Sequence, residues 1–320
     1  MSLKDLLAEK ALHKALIIDD ACDPVPTAED VGIAGGHWSV FGDDWAPHRA
    51  AIAAAYGSLE GRRLDELQQE DAFVAALWSI RGDLSALLDP LFQGYNTTQQ
   101  ADIHYVDLAK NELEALGLEV TLAGRDFAEA LKDVDIVLID LFLGAAQGAE
   151  AISTSKEGLR SALAKRGLPH PLVILMSRSS ELTDRRNEFR DDVGLLDSGF
   201  RILSKEELGD AGRLEIQLQR IVAHVEDTRR LGDFVAALEV GLGEAARRTL
   251  TQFRRLKLSD IGQIQELLLD AEGEPTGSYL VDVFDRVLSH EIESEAGIID
   301  AARALNDFKV EAYPAPFIAG

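Results

Sequence analysis

The sequence predicts an α/β protein whose parallel sheet is covered by helices on both faces, and three observations lead to that prediction. Short apolar runs recur along the chain, at 14–20, 118–123, 135–141, 171–177 and 200–205. Three of them are almost continuously apolar and rich in β-branched residues, which is typical of strands buried on both faces of a parallel sheet. Helix-length segments separate the later runs, and such strand–helix alternation with right-handed crossovers gives a doubly wound fold.

The segments between the later strands carry apolar residues at helical spacing. We expect helices at 104–117, 124–133, 155–167 and 180–194, and a glycine at the end of a segment suits a helix C-terminus. Before the first strand, a short amphipathic helix is expected, with Ser2 as its N-cap.

A long segment after the first strand interrupts the alternation. Residues 23–102 begin with Pro- and Gly-rich turns, continue as helical stretches that hold all three tryptophans, and close on the polar segment 93–102, which we interpret as a linker. A loop of this length is acceptable in a compact domain when it carries its own helices. We therefore predict an inserted helical subdomain at 23–102 within an α/β domain formed by residues 1–22 and 103–230.

The chain after the last strand is expected to be helical without a credible strand. We assign 231–320 to a helical output or dimerisation region. Gly232, Gly241 and Gly243 are expected to break or kink these helices, and 272–277 is expected to form a turn.

Composition excludes several classes of protein. The formal net charge of −24 argues against nucleic-acid binding and against docking on anionic lipid. Cys22 is the single cysteine, so no intramolecular disulfide can form and an oxidising compartment is not implied. The first residues lack the pattern of a signal peptide, and no apolar stretch is long enough to span a membrane. We expect a cytoplasmic protein.

Polar residues follow four of the five predicted strands. Each of them alone is explained as a helix cap or a turn former. Together they would face one crevice, because ligands of open parallel sheets bind beyond the carboxyl ends of the strands. The residues are Asp19 and Asp20 after the first strand, Asp140 after the third, Ser177 after the fourth, and Ser204 with Lys205 after the fifth.

The chemistry of these residues predicts a magnesium site. Crowded carboxylates repel one another and need a cation to stay ionised together. A hard ion held by carboxylates, water and a phosphate is the usual magnesium arrangement. We expect Asp19, Asp20 and Asp140 to hold Mg²⁺, with the backbone carbonyl of Phe142 as a further ligand.

The same edge also predicts phosphoryl chemistry. Asp140 would act as a carboxylate nucleophile that takes up a phosphoryl group as an aspartyl phosphate. Ser177 would donate a hydrogen bond to a phosphoryl oxygen, and Lys205 would place a positive charge beside the same group.

This ordered set resembles the response-regulator receiver family of two-component signalling. The matching motifs are IIDD (17–20), LIDLFLG (138–144), ILMS (174–177) and ILSK (202–205), and the resemblance covers 14–20 and about 104–230. It implies a flavodoxin-like five-stranded parallel sheet of order 2-1-3-4-5. It also implies that Asp140 accepts phosphate from a phosphohistidine on a sensor histidine kinase or phosphotransfer protein, with a homodimer as a possible assembly.

The chain departs from the receiver pattern in three ways. Glu206 stands where the family usually has a proline, and Ile202 stands where it usually has an aromatic residue, with Phe200 further back. The insertion is also unlike an ordinary receiver and is similar to that of a divergent group found in bacterial conflict and phage-defence contexts. These departures predict intact phosphate chemistry with an altered switch.

Two other functions remain open. A degenerate receiver would bind partners without being phosphorylated. An Asp-nucleophile phosphohydrolase of the haloacid dehalogenase type would need a second aspartate two positions after Asp140, where Phe142 stands. The leading hypothesis is a phosphoacceptor protein with a helical output that does not bind DNA, and with no enzymatic activity beyond its own phosphorylation from small donors and its own dephosphorylation.

Overall fold

The computed structural model describes residues 2–144, 148–210 and 212–308. Its sheet consists of parallel strands in the order β2-β1-β3-β4-β5, which confirms the predicted flavodoxin-like α/β fold. The strands are β1 (Lys14–Ile18), β2 (Glu119–Ala123), β3 (Ile136–Asp140), β4 (Leu172–Ser177) and β5 (Phe200–Ser204).

The α-helices before the second strand include one short N-terminal helix and those of the predicted insertion. They are α1 (Leu3–Glu9), α2 (Ala28–Ile33), α3 (Trp38–Asp44), α4 (Arg49–Tyr56), α5 (Leu64–Leu67), α6 (Asp71–Ser79) and α7 (Ser85–Ala115). The later helices are α8 (Ala149–Arg166), α9 (Leu182–Val193), α10 (Arg213–Val222), α11 (Val225–Phe253), α12 (Leu258–Ile264), α13 (Asp270–Glu272), α14 (Thr276–Glu293) and α15 (Ala296–Ala304). None of these helices, in the part of the chain that the structure describes, combines the length and apolar character required to cross a bilayer.

Alternation along the central strands supplies two separate cores. In β3, Ile136 and Leu138 pack into one apolar cluster, while Val137 and Ile139 pack into another on the opposite face of the sheet. Successive side chains of a strand point to opposite faces, so a strand covered on both sides must be apolar at every position. All five residues of β3 are buried, which explains the continuous apolar run in the sequence.

Three helix ends carry the residues that the sequence predicts there. Ser2 caps α1, its side chain accepting a hydrogen bond from the Asp5 N–H. Gly167 and Gly194 follow α8 and α9 with φ of 77° and 81°. These positive φ angles favour glycine, because a β-carbon is strained in that region.

The predicted helix at 124–133 is wrong. Residues 128–133 form turns instead, and Phe127 and Leu131 are buried against the core of one sheet face. The backbone N–H of Arg125 donates to Asp23 Oδ1 at 2.9 Å, which ties the start of the segment to the loop after β1. This hydrogen bond and the burial of Phe127 and Leu131 hold the segment in turns against the sheet. Tertiary contacts therefore override the helical spacing.

The predicted linker at 93–102 is also wrong, because it lies inside α7. The two halves of this helix carry apolar residues for two different cores: Phe92 packs within the insertion, and Val106 packs under the sheet. The Thr97 and Thr98 hydroxyls donate to helix carbonyls four residues earlier, so these polar residues are accommodated within the helix. The predicted boundary between residues 102 and 103 therefore falls within one continuous helix.

The insertion has a core of its own. Phe41, Phe73 and Phe92 are buried in one apolar cluster formed by the insertion helices and the first half of α7. The tryptophans pack around this cluster, and the Trp38 and Phe73 rings stack with centroids 6.4 Å apart. The tryptophans thus serve the insertion's own core.

The chain forms two compact units, residues 1–225 and 226–320, the second of which is described as far as 308. The described residues of the second unit form helices joined by short turns and include no strand, as predicted, and the turn at 273–275 separates α13 from α14. The expectation that Gly232, Gly241 and Gly243 break the helices is wrong, because α11 continues through them, and a kink at these glycines stays a prediction. Residues 309–320 of the predicted output region lie outside the described part of the chain.

Gly241 has a packing role in this second unit. A β-carbon at Gly241 would lie 2.5 Å from the Ile298 side chain, so the glycine lets α15 approach α11 closely. Gly241 therefore allows close helix–helix contact and does not interrupt α11.

Candidate functional site

The carboxyl ends of the strands meet at one edge of the sheet and bring the predicted polar residues together. Asp19 follows β1 directly, Asp140 and Ser177 end β3 and β4, and Lys205 follows β5. This edge borders a cavity of about 160 Å³. The predicted residues that line it are Asp20, Asp140, Phe142, Ser177 and Lys205.

Asp19, Asp20 and Asp140 form an acid cluster at this edge. Each offers a carboxylate oxygen, and these oxygens lie within 4.8 Å of one another. Local hydrogen bonds orient two of the side chains: Asp19 Oδ1 accepts from the Ala21 N–H at 3.1 Å, and Asp140 Oδ1 accepts from the Phe142 N–H at 3.3 Å. Hydrogen bonds to the backbone just beyond β1 and β3 therefore orient both carboxylates.

Lys205 connects two of these acids. Its Nζ lies 2.5 Å from Asp140 Oδ2 and 2.6 Å from Asp19 Oδ2, and its side chain is 2 % exposed. The Ser204 N–H donates to Glu207 at 3.2 Å at the start of the 3₁₀ turn Lys205–Gly209, which orients the backbone next to Lys205. A buried ammonium ion is favourable only with such partners.

Burial and mutual repulsion change the acidity of the cluster. Burial, followed by repulsion from Asp19 and Asp140, raises the pKa of Asp20 to about 7. Burial also raises the pKa of Asp140 to about 7, against the opposing attraction of Lys205. Burial opposes the charge of Lys205, but the attraction of Asp140 and Asp19 outweighs it and raises the pKa of the ammonium group. A neighbouring cation would favour the ionised form of both acids.

Ser177 lies at the end of β4, opposite Ser204 on β5 in the sheet register. Its side chain is buried, and its oxygen accepts a hydrogen bond from the Ser179 N–H at 3.0 Å. A hydroxyl that accepts through its oxygen can still donate its own proton. Ser177 is therefore placed to donate a hydrogen bond into the cavity that it lines.

The insertion supplies a wall of this cavity that the sequence did not predict. Its lining residues come from α2, the turn after α2, and α7. They are Asp30, Ile33, Ala34, Tyr95, Thr98, Gln99 and Asp102. No motif marks them in the sequence, and the packing of α2 and the path of α7 back to the sheet bring them to the site.

Two arginines at the cavity were also missed. Arg125, two residues after β2, donates to Asp30 at 2.6 and 2.9 Å, and its guanidinium lies 3.4 Å from Asp20. Arg178, directly after Ser177, pairs with Asp102 at 3.1 Å. The signal that could have found them is their position, since each follows the carboxyl end of a strand.

Asp102 is a fourth carboxylate close to the buried lysine. Its Oδ1 lies 3.8 Å from Lys205 Nζ. Burial raises the pKa of Asp102, while Lys205 and Arg178 oppose that shift. The sequence placed Asp102 in a linker, whereas the structure places it on α7 beside the site.

The residues present fit a divalent cation of the magnesium type. The donors are carboxylate oxygens, which Mg²⁺ prefers, and their separation allows one ion to contact all three. The acid cluster carries more negative charge than the ammonium of Lys205 balances. Phe142 lines the cavity, and the metal-binding role of its carbonyl stays a prediction.

The two departures near β5 have clear structural positions. Phe200 is buried and stacks on Phe189, with ring centroids 6.2 Å apart and planes at 6°. Ile202 is half-buried and packs against the same core. Glu206 lies in the 3₁₀ turn that follows the strand. The aromatic residue nearest the lysine in sequence is thus part of the core.

Comparison with models of known protein families and with solved structures found no match in either case.

Proposed function

We propose that this protein is a phosphoacceptor of the receiver type, with Asp140 as the residue that takes up the phosphoryl group in the presence of Mg²⁺. The observation that supports it best is the position of Lys205, which lies within 2.6 Å of both Asp19 and Asp140 at the carboxyl edge of the sheet. Asp20 and Ser177 border the same cavity.

Asp140 would carry the chemical step. One of its carboxylate oxygens attacks phosphorus, the bond from phosphorus to the donor's nitrogen or oxygen breaks, and the leaving group departs with that electron pair and takes up a proton from water. When bound, Mg²⁺ would neutralise charge on the phosphoryl oxygens and on the acid cluster. Asp19 and Asp20 would hold it together with Asp140.

The neighbouring residues would stabilise the product. The Ser177 hydroxyl would donate to a phosphoryl oxygen, and Lys205 would pair with the same group instead of with the free carboxylate. Burial of Asp140 would shield the aspartyl phosphate from bulk water. We further propose a phosphohistidine on a sensor histidine kinase or phosphotransfer protein as the donor, a cytoplasmic location consistent with the single cysteine, and a helical output that does not bind DNA.

A second candidate is an interaction scaffold that is never phosphorylated. It is favoured by the departures at Ile202 and Glu206 and by the close pairing of Asp140 with Lys205. A phosphohydrolase is less well supported, because Phe142 stands where that chemistry needs an aspartate.

Beryllofluoride, which imitates a phosphoryl group on a carboxylate, separates these functions. We expect Mg²⁺-dependent binding to the wild-type protein by calorimetry, and loss of binding in Asp140→Ala. Asp135→Ala is the matched control, because Asp135 precedes the same strand and bonds backbone N–H groups away from the cavity. Mg²⁺ binding without any beryllofluoride response would favour the scaffold, and turnover of phosphoesters would favour the hydrolase.

A further inference from the structure

Arg125 is shared by acids from two parts of the first unit. Its guanidinium makes a two-pronged contact with Asp30 at 2.6 and 2.9 Å. The distances to the nearest oxygens of Asp20 and Asp23 are both 3.4 Å. Two parallel charge-assisted hydrogen bonds are stronger than one longer contact, so Asp30 is the dominant partner.

Asp30 belongs to the insertion and is held firmly there. It lies on α2, its residue is 6 % exposed, and its Oδ2 accepts from both the backbone N–H and the hydroxyl of Thr27 at 2.8 Å. The start of α2 is tied in turn to α6, because the Ala28 N–H donates to Asp71 at 2.8 Å. The position of Asp30 therefore depends on the packing of α2 within the insertion.

Asp20 belongs to the acid cluster and lines the same cavity as Arg125, whose guanidinium donates a long hydrogen bond to Asp20 Oδ2 at 3.4 Å. A guanidinium that moved fully onto Asp20 would occupy carboxylate oxygens that a divalent cation needs. It would also repel that cation, because both are positive and close together. Arg125 can therefore favour or oppose cation binding, depending on which acid holds it.

We propose that the insertion completes the cation site: Asp30 takes the two short hydrogen bonds of the Arg125 guanidinium and leaves Asp20 only a long one at 3.4 Å, so that a divalent cation can displace Arg125 from Asp20 while α2 is packed in place. This inference rests on the proposed function, since it takes Asp19, Asp20 and Asp140 as the cation ligands. The coupling is reciprocal by linkage. A cation bound to Asp20 displaces the Arg125 guanidinium from that carboxylate. Arg125 then pairs more completely with Asp30, and this pairing stabilises the packing of α2.

Titration with Mg²⁺ by calorimetry tests the predicted effect of Asp30 on cation affinity. We expect Asp30→Asn to bind Mg²⁺ about tenfold more weakly than wild type, within the range typical of coupled sites. Glu29→Gln, an exposed acid on the same helix, is the matched control for loss of one negative charge and is expected to change the affinity less than about twofold. The titrations are run at about pH 8.5, so that protons compete little for Asp20.

Arg125→Gln separates the specific coupling from a general charge effect. This variant lacks the competing guanidinium and is expected to bind Mg²⁺ at least as tightly as wild type. Adding Asp30→Asn to Arg125→Gln is then expected to have little further effect, because Asp30 acts through Arg125. The Arg125→Gln result does not depend on Asp30→Asn folding correctly, and circular dichroism monitors the fold of each variant.

Hydrogen exchange tests the predicted effect of the cation on α2. We expect Mg²⁺ to slow exchange of the backbone amides of α2 in the wild-type protein and to leave it unchanged in Arg125→Gln. The inference is overturned if Asp30→Asn and Glu29→Gln lose equal affinity, if Asp30→Asn has the same effect with and without Arg125, or if Mg²⁺ leaves α2 exchange unchanged in wild type. A wild-type protein that binds Mg²⁺ and beryllofluoride but gives any of these results fails the inference alone, whereas one that binds neither fails the proposed function as well.

Discussion

Lys205 is 2 % exposed, and its ammonium group lies between carboxylates that end different strands. Pairing of this kind does not stabilise a fold strongly in comparison with apolar packing, but removal of one partner leaves the others uncompensated. The residues at this edge therefore depend on one another for their charge state.

Lys205→Met is expected to lower the free energy of unfolding by about 3 kcal/mol at neutral pH, because Asp19 and Asp140 lose their buried counter-charge. Urea denaturation measures the change. Added Mg²⁺ is expected to restore part of it, since the ion supplies the missing positive charge. Lys132→Met is the control, because Lys132 pairs with Glu129 at the surface and such pairs contribute about 0–1 kcal/mol. Equal effects of the two substitutions would contradict the buried-pair interpretation.

The affinity for Mg²⁺ is expected to rise with pH. Asp20 and Asp140 have a pKa of about 7 in the folded protein, above the ordinary 3.8 of an aspartate. Between pH 3.8 and about 7, the folded state holds more protons on these groups than the unfolded state does. The stability that the two groups contribute is therefore present below about pH 4 and lost as pH rises through 7. Cation binding must displace the same protons.

The measurement is a set of Mg²⁺ titrations at about pH 6, 7 and 8, for which we expect the Kd to fall at least about tenfold overall. Asp20→Asn, which removes one of the two titrating groups, is expected to bind more weakly and to show a shallower pH dependence. A Kd that stayed constant across this range in the wild-type protein would show that neither acid releases a proton on binding.

Sequence alone identified the residues that end apolar strands, such as Asp140 and Lys205, because the end of a buried strand is visible locally. It could not identify Arg125 and Asp30, which are 95 positions apart along the chain. Their contact depends on the path of the insertion, and their residue types and spacing carry no motif.

At the scale of single elements, α7 connects the insertion with the α/β domain. It runs from the core of the insertion to the core under the sheet, passing Asp102 and the cavity on the way. A continuous helix fixes the positions of its two ends relative to each other more firmly than a flexible polar linker would. Gly94 is the point at which α7 meets the turn after α2.

Gly94→Ala is expected to lower the free energy of unfolding by about 2 kcal/mol, although alanine is ordinarily the better helix former. The added β-carbon would lie 2.0 Å from the Ala34 carbonyl oxygen, so the backbone must move. Gly32→Ala on α2 is the control, because its β-carbon meets nothing within 4 Å, and it is expected to be neutral or to stabilise by up to about 1 kcal/mol. Thermal and urea unfolding compare the two, and a stabilising Gly94→Ala would contradict the close approach.

Elements were predicted well where burial dictates them and poorly where tertiary contacts compete with local pattern. The apolar runs predicted all five strands, and burial accounts for the runs of β1, β3 and β4, whereas β2 at the sheet edge is exposed or half-buried. The segment 124–133 has helical spacing, yet its ties to Asp23 and to the sheet core keep it in turns. Glycines in α11 suggested breaks, but at Gly241 the missing side chain serves packing against Ile298.

At the scale of the whole molecule, the buried apolar clusters described above all lie in the first unit, residues 1–225. In the described part of the second unit, the buried side chains are Ala245, Thr249 and Leu269. The proposed site also lies wholly within the first unit. The first unit therefore has what an independent domain requires.

A fragment of residues 1–225 is expected to unfold cooperatively and to bind Mg²⁺ with an affinity within about threefold of the full chain, because the core and the acid cluster are both retained. Urea unfolding and calorimetry compare the fragment with the complete protein. A fragment that unfolded without a transition would show that residues after 225 are needed for the fold. A folded fragment without Mg²⁺ affinity would show that they are needed for the site.

The most direct test of the central claim is the intact mass of the protein after incubation with Mg²⁺ and acetyl phosphate. Phosphorylation of Asp140 predicts an adduct of one phosphoryl group that requires Mg²⁺, maps to the peptide holding residues 135–144, and is absent in Asp140→Ala but present in Asp135→Ala. An unmodified mass under conditions in which Mg²⁺ is demonstrably bound, or an adduct that persists in Asp140→Ala, would contradict it.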